Sequence, residues 1–215
     1  LLAKDETNVN EVGTEGLLPL WMACSNGHAS VVELLLAASD IDVNQAKTTT
    51  GSTPLFMACQ NGHATIIELL LSVSDIDVNQ ARTDIGATPL LIACQKGHTP
   101  IVKLLLASSE IAVNQAETTT GVTPLFMASQ NGHAPVVELL LATSNIHVNK
   151  PMMNGATPLI IASYLGHASC VSLLLTDLTI NPTLLFQERT ALQLAQPSMR
   201  VVGWKFLEDK IKIEG

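Results

Sequence analysis

The sequence predicts an all-α solenoid, a stack of similar helix-turn-helix units. A Thr-Pro-Leu phrase, Leu-Pro-Leu in its first copy, recurs along the 215-residue chain. Its prolines are Pro19, Pro54, Pro89, Pro124 and Pro158, which gives steps of 35, 35, 35 and 34 residues. A degraded copy, Thr190-Ala191-Leu192, follows after a further 33 residues. Periods of this size are typical of stacked supersecondary units rather than of one irregular globule.

Three further motifs keep the register of the phrase. Gly-His follows it at Gly27-His28, Gly62-His63, Gly97-His98, Gly132-His133 and Gly166-His167. Leucine triplets come next, at 34–36, 69–71, 104–106, 139–141 and 173–175. A Val-Asn pair then closes the unit, at Val43-Asn44, Val78-Asn79, Val113-Asn114 and Val148-Asn149. The shared register indicates a repeat array.

The phrase predicts the first helix of each unit. The Thr53 hydroxyl can cap a helix, and Pro54 fits the first helical position, where no backbone donor is missed. The helix should end at Asn61-Gly62, because glycine adopts the left-handed conformation at low cost. Its apolar residues cover most of its circumference, so the helix should be buried on three sides by its own partner and by both neighbouring units. The expected buried face is Leu55, Ala58 and Cys59, flanked by Phe56 and Met57, with Gln60 and Asn61 exposed.

The leucine triplet predicts the second helix. Pro100 and Pro135 follow Gly-His by two residues and fit the first turn of a helix that continues through the triplet. Ser, Asp and Asn then end it. One polar position interrupts each apolar run and should face solvent, and it is occupied by Glu33, Glu68, Lys103, Glu138 and Ser172.

The segment TPLFMACQNGHATIIELLLSVSDIDVN resembles the ankyrin repeat over its whole length. The resemblance covers roughly Leu1 to Gln196, and it implies helix pairs with projecting hairpin fingers that bind other proteins. Two departures stand out. Each unit carries up to two extra residues, which should lie in connections. The family's His after Thr-Pro-Leu is replaced by apolar residues, which should form a packed ladder without the histidine's hydrogen bonds, at Trp21, Phe56, Leu91, Phe126 and Ile160.

The ends of the chain depart from the full unit. Leu1-Leu2-Ala3 aligns with Leu35-Leu36-Ala37, so we expect an excerpt of a longer array, or one trimmed at a repeat boundary. Near the other end, Pro197-Ser198 replaces the Gly-His turn, and the last helix carries Lys205, Glu208, Asp209 and Lys210, as a polar cap would. The expected division is therefore residues 1–16 as the end of a preceding repeat, 17–196 as five full units and the start of a sixth, and 197–215 as a capping helix.

Composition narrows the function classes. Hydrophobic residues make up 47% of the chain and charged residues 14%, low against about 25% in typical globular chains, as buried helices would explain. The net charge of −8 argues against nucleic acid, which requires basic stripes, and favours a basic or polar partner. No apolar stretch approaches the roughly 18 residues of a membrane span, and no secretion signal opens the sequence. These features predict an intracellular, cytoplasmic module that is monomeric when isolated.

The recurring cysteines and histidines predict structure rather than chemistry. Cys24, Cys59 and Cys94 occupy one helical position in successive units, and helices stacked about 8–10 Å apart cannot be bridged by a disulfide without distortion. Unpaired cysteines favour a reducing compartment. The Gly-His histidines lie too far apart to share a zinc ion and should stabilise their turns by hydrogen bonds. Since no catalytic motif is present, we expect neither an enzyme nor a cofactor.

The variable positions predict the binding surface. The family resemblance implies a groove formed by the finger tips, the residue after each finger glycine (among them Leu17 and Ala156), and the ends of the first helices. Tyr164, Leu165, Met152 and Met153 make its apolar end, where exposed aromatic and methionine side chains favour an interface over a merely soluble surface. The candidate partner-binding residues are Ser25, Asn26, Lys47, Ser52, Gln60, Asn61, Arg82, Asp84, Ala87, Gln95, Lys96, Glu117, Val122, Gln130, Asn131, Met152, Met153, Tyr164 and Leu165.

Three roles and one modification stay open at this point. The chain is expected to be a noncatalytic protein-binding scaffold, with a regulatory segment docking on an enzyme or channel domain of its own longer protein as the alternative and a structural spacer third. Asn44 and Asn79 have Leu eight residues before and Asp two before, a pattern resembling ankyrin sites modified by an asparaginyl hydroxylase. A structural role for both asparagines in the hairpin is the favoured interpretation.

Overall fold

The computed structural model describes residues 8–13 and 16–195. Within these residues, five helix pairs follow one another and confirm the predicted solenoid. The pairs are α1 (Pro19–Asn26) and α2 (Ala29–Leu36), α3 (Pro54–Asn61) and α4 (Ala64–Leu71), α5 (Pro89–Lys96) and α6 (Thr99–Leu106), α7 (Pro124–Gln130) and α8 (Ala134–Leu141), and α9 (Pro158–Leu165) and α10 (Ala168–Thr176). An antiparallel hairpin of β1 (Leu185–Phe186) and β2 (Arg189–Thr190) leads into α11 (Ala191–Leu194).

Local capping chemistry sets the helix boundaries. The Thr53 hydroxyl accepts a hydrogen bond from the Phe56 amide at 3.1 Å, and the threonines of the next three units do the same. Gly62 ends α3 in the left-handed conformation, with φ 84°. Pro100 and Pro135 lie in the first turns of α6 and α8, as predicted. The sequence therefore specifies the starts of α3, α5, α7 and α9 through side-chain caps, whereas α1 and the second helices begin without one.

The helices form two layers. One layer consists of the first helices, each in contact with the next: α1, α3, α5, α7, α9 and α11. The other layer consists of the second helices, which contact one another in the same way: α2, α4, α6, α8 and α10. The predicted buried face is confirmed, since Leu55, Ala58 and Cys59 are fully buried. Phe56 is buried with them, and Gln60 is half-buried rather than exposed, because the neighbouring units also cover the flanks. All five polar positions predicted to face solvent on the second helices are exposed.

Hairpin fingers join consecutive units and contact one another. Within one finger the Lys47 amide donates to the Ser52 carbonyl at 2.9 Å, and between fingers the Thr83 amide donates to the Thr50 carbonyl at 3.1 Å. Gly51 ends its finger with φ 68°, and a Cβ there would lie 2.5 Å from the Thr83 nitrogen. The glycine is thus required both by its conformation and by the approach of the next finger.

The Val-Asn asparagines bridge neighbouring units. The Asn44 Nδ2 donates to the Asp75 carbonyl at 2.6 Å, while its Oδ1 accepts from the Asp77 amide at 2.8 Å. Asn79 makes the same pair of bonds with Glu110 and Ala112. The equivalent bridges elsewhere are made by Asn10, Asn114 and Asn149. A structural role thus accounts for the repeated asparagine.

The Gly-His histidines also act between units. Three of them donate from Nε2 to a backbone carbonyl of the preceding first helix: His63 to Ser25 at 3.2 Å, His133 to Gln95 at 3.1 Å and His167 to Gln130 at 3.0 Å. The ring of each of these histidines lies against the Gly-His glycine of the preceding unit. A Cβ on Gly27, for example, would be 2.7 Å from the His63 ring. The predicted hydrogen bond exists, but it joins two units instead of stabilising the histidine's own turn.

The apolar replacements of the family histidine pack mainly into the core. Phe56, Leu91, Phe126 and Ile160 are buried and belong to one hydrophobic cluster. The first unit differs, since Trp21 is half-buried and its Nε1 donates to the Ser52 hydroxyl at 3.1 Å. At Trp21 an indole hydrogen bond to the next unit therefore adds to the expected apolar packing.

At the degraded last phrase, Thr190 and Gln193 form a reciprocal capping box at the start of α11. The predicted helix fragment at Leu1–Ala3 and the capping helix at 197–215 lie outside the described residues. No helix within residues 8–13 and 16–195 combines the length and the apolar character needed to cross a lipid bilayer.

Candidate protein-binding surface

Finger residues lie over the first helices of the preceding units, as Lys47 does over Trp21 and Arg82 over Phe56, and most of the predicted surface residues are accessible. The exposed ones are Asn26, Asn61, Asp84, Gln95, Lys96, Asn131, Met153, Tyr164 and Leu165. Half-buried residues are Ser25, Lys47, Gln60, Arg82, Gln130 and Met152. These fifteen positions remain the candidate surface.

Four predicted surface residues are buried and cannot present their side chains to a partner. Ser52 is 2% exposed, and its hydroxyl lies 2.8 Å from that of Thr50. Ala87 and Val122, which also follow finger glycines, are part of the hydrophobic cluster, as is Ala156. The recurrence of small residues at this position was the signal that could have indicated a tight slot beneath the fingers.

Glu117 is the fourth buried residue, and it organises its own finger tip. The carboxylate accepts hydrogen bonds from the amides of Thr119 at 2.9 Å and Thr120 at 2.6 Å, and from both threonine hydroxyls. Burial alone would raise the pKa of Glu117, but these four hydrogen bonds outweigh it and lower the pKa to about 2. The predicted partner contact is thus replaced by a structural role inside the finger.

Replacing Glu117 with Gln should destabilise the chain at pH 7 by about 1–3 kcal/mol, because the amide loses charge-assisted hydrogen bonds. A folded-state pKa below the ordinary 4.5 stabilises the fold above that value, and the stabilisation is lost as the pH falls toward about 2. The gap between the two proteins in urea melts should therefore narrow from pH 7 to pH 3. A gap that stays constant with pH would contradict an ionised role for this carboxylate.

The remaining charges at the tips are already engaged within the chain. Arg82 forms an ion pair with Asp84, and its hydrogen bond lowers the pKa of that carboxyl. The same guanidinium lies 5.4 Å from the Phe56 ring, in the geometry of a cation–π contact. Lys150 donates to the Asn114 carbonyl at 3.1 Å. Partner recognition through these groups would have to compete with internal contacts.

The fifth unit presents an apolar end to this layer. Tyr164 is 56% exposed, Leu165 40% and Met153 70%. At the position of Tyr164 the earlier units carry Ser25, Gln60, Gln95 and Gln130, and at the position of Leu165 they carry Asn26, Asn61, Lys96 and Asn131. The sequence repeat holds the backbone constant, so only the side-chain chemistry changes from polar to apolar along the row.

The cysteines show no sign of chemistry. Cys24, Cys59, Cys94 and Cys170 are buried, and all four are free thiols. Burial raises the pKa of the Cys24 thiol to about 12 and that of Cys170 to about 11, and it raises those of Cys59 and Cys94 as well. In the part of the chain that the structure describes, no three His, Cys, Asp or Glu side chains are placed to hold a metal ion.

Two layers of helices, with fingers joined by backbone hydrogen bonds, define a repeat solenoid. In this class of protein each unit contacts only its neighbours. A family model described as "Ankyrin repeats (3 copies)" matches residues 1–82 and 74–152, and one described as "Ankyrin repeat" matches residues 154–184. The chain belongs to the ankyrin-repeat family. A search of curated proteins found no match. Ankyrin repeats are generally protein–protein interaction modules and are typically noncatalytic.

Proposed function

We propose that the chain is a noncatalytic, intracellular scaffold that binds a partner protein across the finger tips and the ends of the first helices. The observation that carries this proposal is the apolar end of the surface, where Tyr164, Leu165 and Met153 are exposed beside a polar row. Exposed aromatic, leucine and methionine side chains are costly in water and are common at interfaces. The free, buried cysteines agree with a reducing compartment such as the cytoplasm.

Capture experiments with matched variants test this surface. The tagged chain, used as bait in a cell lysate, is compared with a variant carrying Gln95→Arg, Gln130→Glu and Tyr164→Ala. The variant adds bulk and charge to the proposed surface, and we expect it to lose the partner. The control carries Glu33→Lys and Glu138→Lys on the second helices, and it should retain the partner. Circular dichroism checks that both variants are folded.

The outcomes separate the candidate roles. Loss of the partner only in the control would move the site to the second-helix layer. Equal retention by both variants would reject the proposed surface. If the wild-type chain captures nothing, the result supports the structural-spacer role. If it captures only a domain of its own longer protein, the result supports the regulatory role.

We also propose Asn44 and Asn79 as substrates for an asparaginyl hydroxylase, on the sequence pattern alone. Both side-chain amides already bridge neighbouring units, so an enzyme would have to break two hydrogen bonds to reach each of them. Modification should therefore be faster when the array is destabilised. Mass spectrometry after incubation with such an enzyme would show the gain of one oxygen atom on the peptides that contain them, and no gain would end the idea.

A further inference from the structure

Charge is divided unevenly between the two layers. The second helices and the loops after them (29–42, 64–77, 99–112, 134–147 and 168–181) contain one basic residue, Lys103, and nine acidic ones. The nine are Glu33, Asp40, Asp42, Glu68, Asp75, Asp77, Glu110, Glu138 and Asp177. The other described residues hold five basic and four acidic side chains. Nine of the thirteen acidic side chains in the described part of the chain therefore lie on the second-helix layer, where they give a net negative charge that the other described residues lack.

A cavity of about 720 Å³ opens on this acidic layer, between α4 and α6 and the loops that follow them. Leu71, Val73, Ile76 and Leu104 contribute apolar surface, and each of them is half-buried. Its volume is within the range of about 300–1,000 Å³ found for ligand sites. The cavity can thus take an apolar side chain from outside the molecule.

Two carboxylates border the cavity. Glu68 lies on α4 and Glu110 on the loop after α6, and both line the opening and are exposed. One unit further along, the corresponding positions are Lys103 and Asn145, so the next interval between second helices has lost both carboxylates. The preceding interval, between α2 and α4, carries Glu33 and Asp75 at these positions, so negative borders belong to the first two intervals between second helices and not to every repeat.

We propose that this cavity binds a basic amphipathic segment of another protein, with an apolar side chain inserted between α4 and α6 and lysine or arginine beside Glu68 and Glu110. The apolar lining offers a place for an anchor residue, and the carboxylates favour flanking positive charge. A second copy of the chain is disfavoured as occupant, since its own second-helix layer carries the same sign of charge. The site is separate from the finger-tip surface and does not depend on it.

The test uses a fluorescent helical peptide of leucine and lysine, with its leucines on one face, titrated by anisotropy against the intact chain at physiological salt. A second peptide has glutamate in place of lysine, and a third has alanine in place of leucine. The cavity-charge variant, called the groove variant below, carries Glu68→Lys and Glu110→Lys at the borders of the cavity between α4 and α6. The matched control carries Glu11→Lys and Glu138→Lys, so that its net charge changes equally. Ala107→Trp fills the cavity without changing any charge.

The leucine–lysine peptide should bind the wild-type chain in preference to the other two peptides. Its affinity should fall at least about tenfold in the groove variant and in Ala107→Trp, and by no more than about twofold in the matched control. Ala107 and both glutamates are exposed, so the variants should stay folded, which thermal melts check. Equal weakening in the matched control would reduce the effect to bulk charge and overturn the proposal. Undiminished binding to Ala107→Trp, or no binding to the wild-type chain, would overturn it as well.

Discussion

Replacing Leu70 with Ala should lower the free energy of unfolding by about 2–5 kcal/mol, the range for truncating a fully buried leucine. Leu70 lies on α4, is fully buried and belongs to the continuous hydrophobic cluster. The substitution removes contacts with the helices around it and leaves a cavity that the rigid stack cannot fill. Urea melts of both proteins, compared through midpoint and slope, give the difference.

The chain offers two controls for this prediction. Leu34 is 75% exposed on α2, so the same Leu→Ala change there should cost far less. Glu68→Ala, on the solvent side of α4, should change stability by no more than about 0.5 kcal/mol. A loss below about 1 kcal/mol for Leu70→Ala would contradict the burial of this helix face.

Replacing Tyr164 with Ala should weaken partner binding by about 2 kcal/mol or more, roughly thirtyfold in affinity, if the ring is an interface anchor. The side chain is 56% exposed at the end of α9, beside Leu165, so its truncation should leave the fold intact. Titration of the captured partner against both proteins measures the change.

Gln60→Ala provides the comparison, because Gln60 occupies the position of Tyr164 in the second unit. It should alter affinity by much less than Tyr164→Ala, since polar contacts at the edge of an interface contribute little. If both substitutions had the same small effect, the apolar end would not be the anchor, and the partner would depend on the finger tips instead.

Local sequence was sufficient for most of the fold. The cap at Thr53, the proline after it and the glycine at position 62 specify a helix through interactions within a few residues, so its ends could be predicted. The solvent-facing position of the second helix, as at Glu68, could be predicted because one polar residue interrupts an apolar run.

The candidate surface was less predictable, because burial there depends on groups far apart in sequence. Ser52 accepts a hydrogen bond from the Trp21 indole of the preceding unit, 31 residues away, and is covered there. The His63 ring reaches a carbonyl 38 residues earlier. Glu117 is an exception, because the threonines that enclose its carboxylate follow it by only two and three residues. The contacts of Ser52 and His63 join different units, so a pattern within one unit does not contain them.

The buried thiols provide a consequence for the dynamics of the array. Cys24, Cys59, Cys94 and Cys170 belong to the first, second, third and fifth units, and each is inaccessible and protonated while its unit is closed. Because only an exposed thiolate reacts, a thiol reagent can modify each cysteine only when its own unit opens. The relative labelling rates of the four cysteines would therefore give the order in which the stack comes apart, from the natural sequence and without an inserted probe.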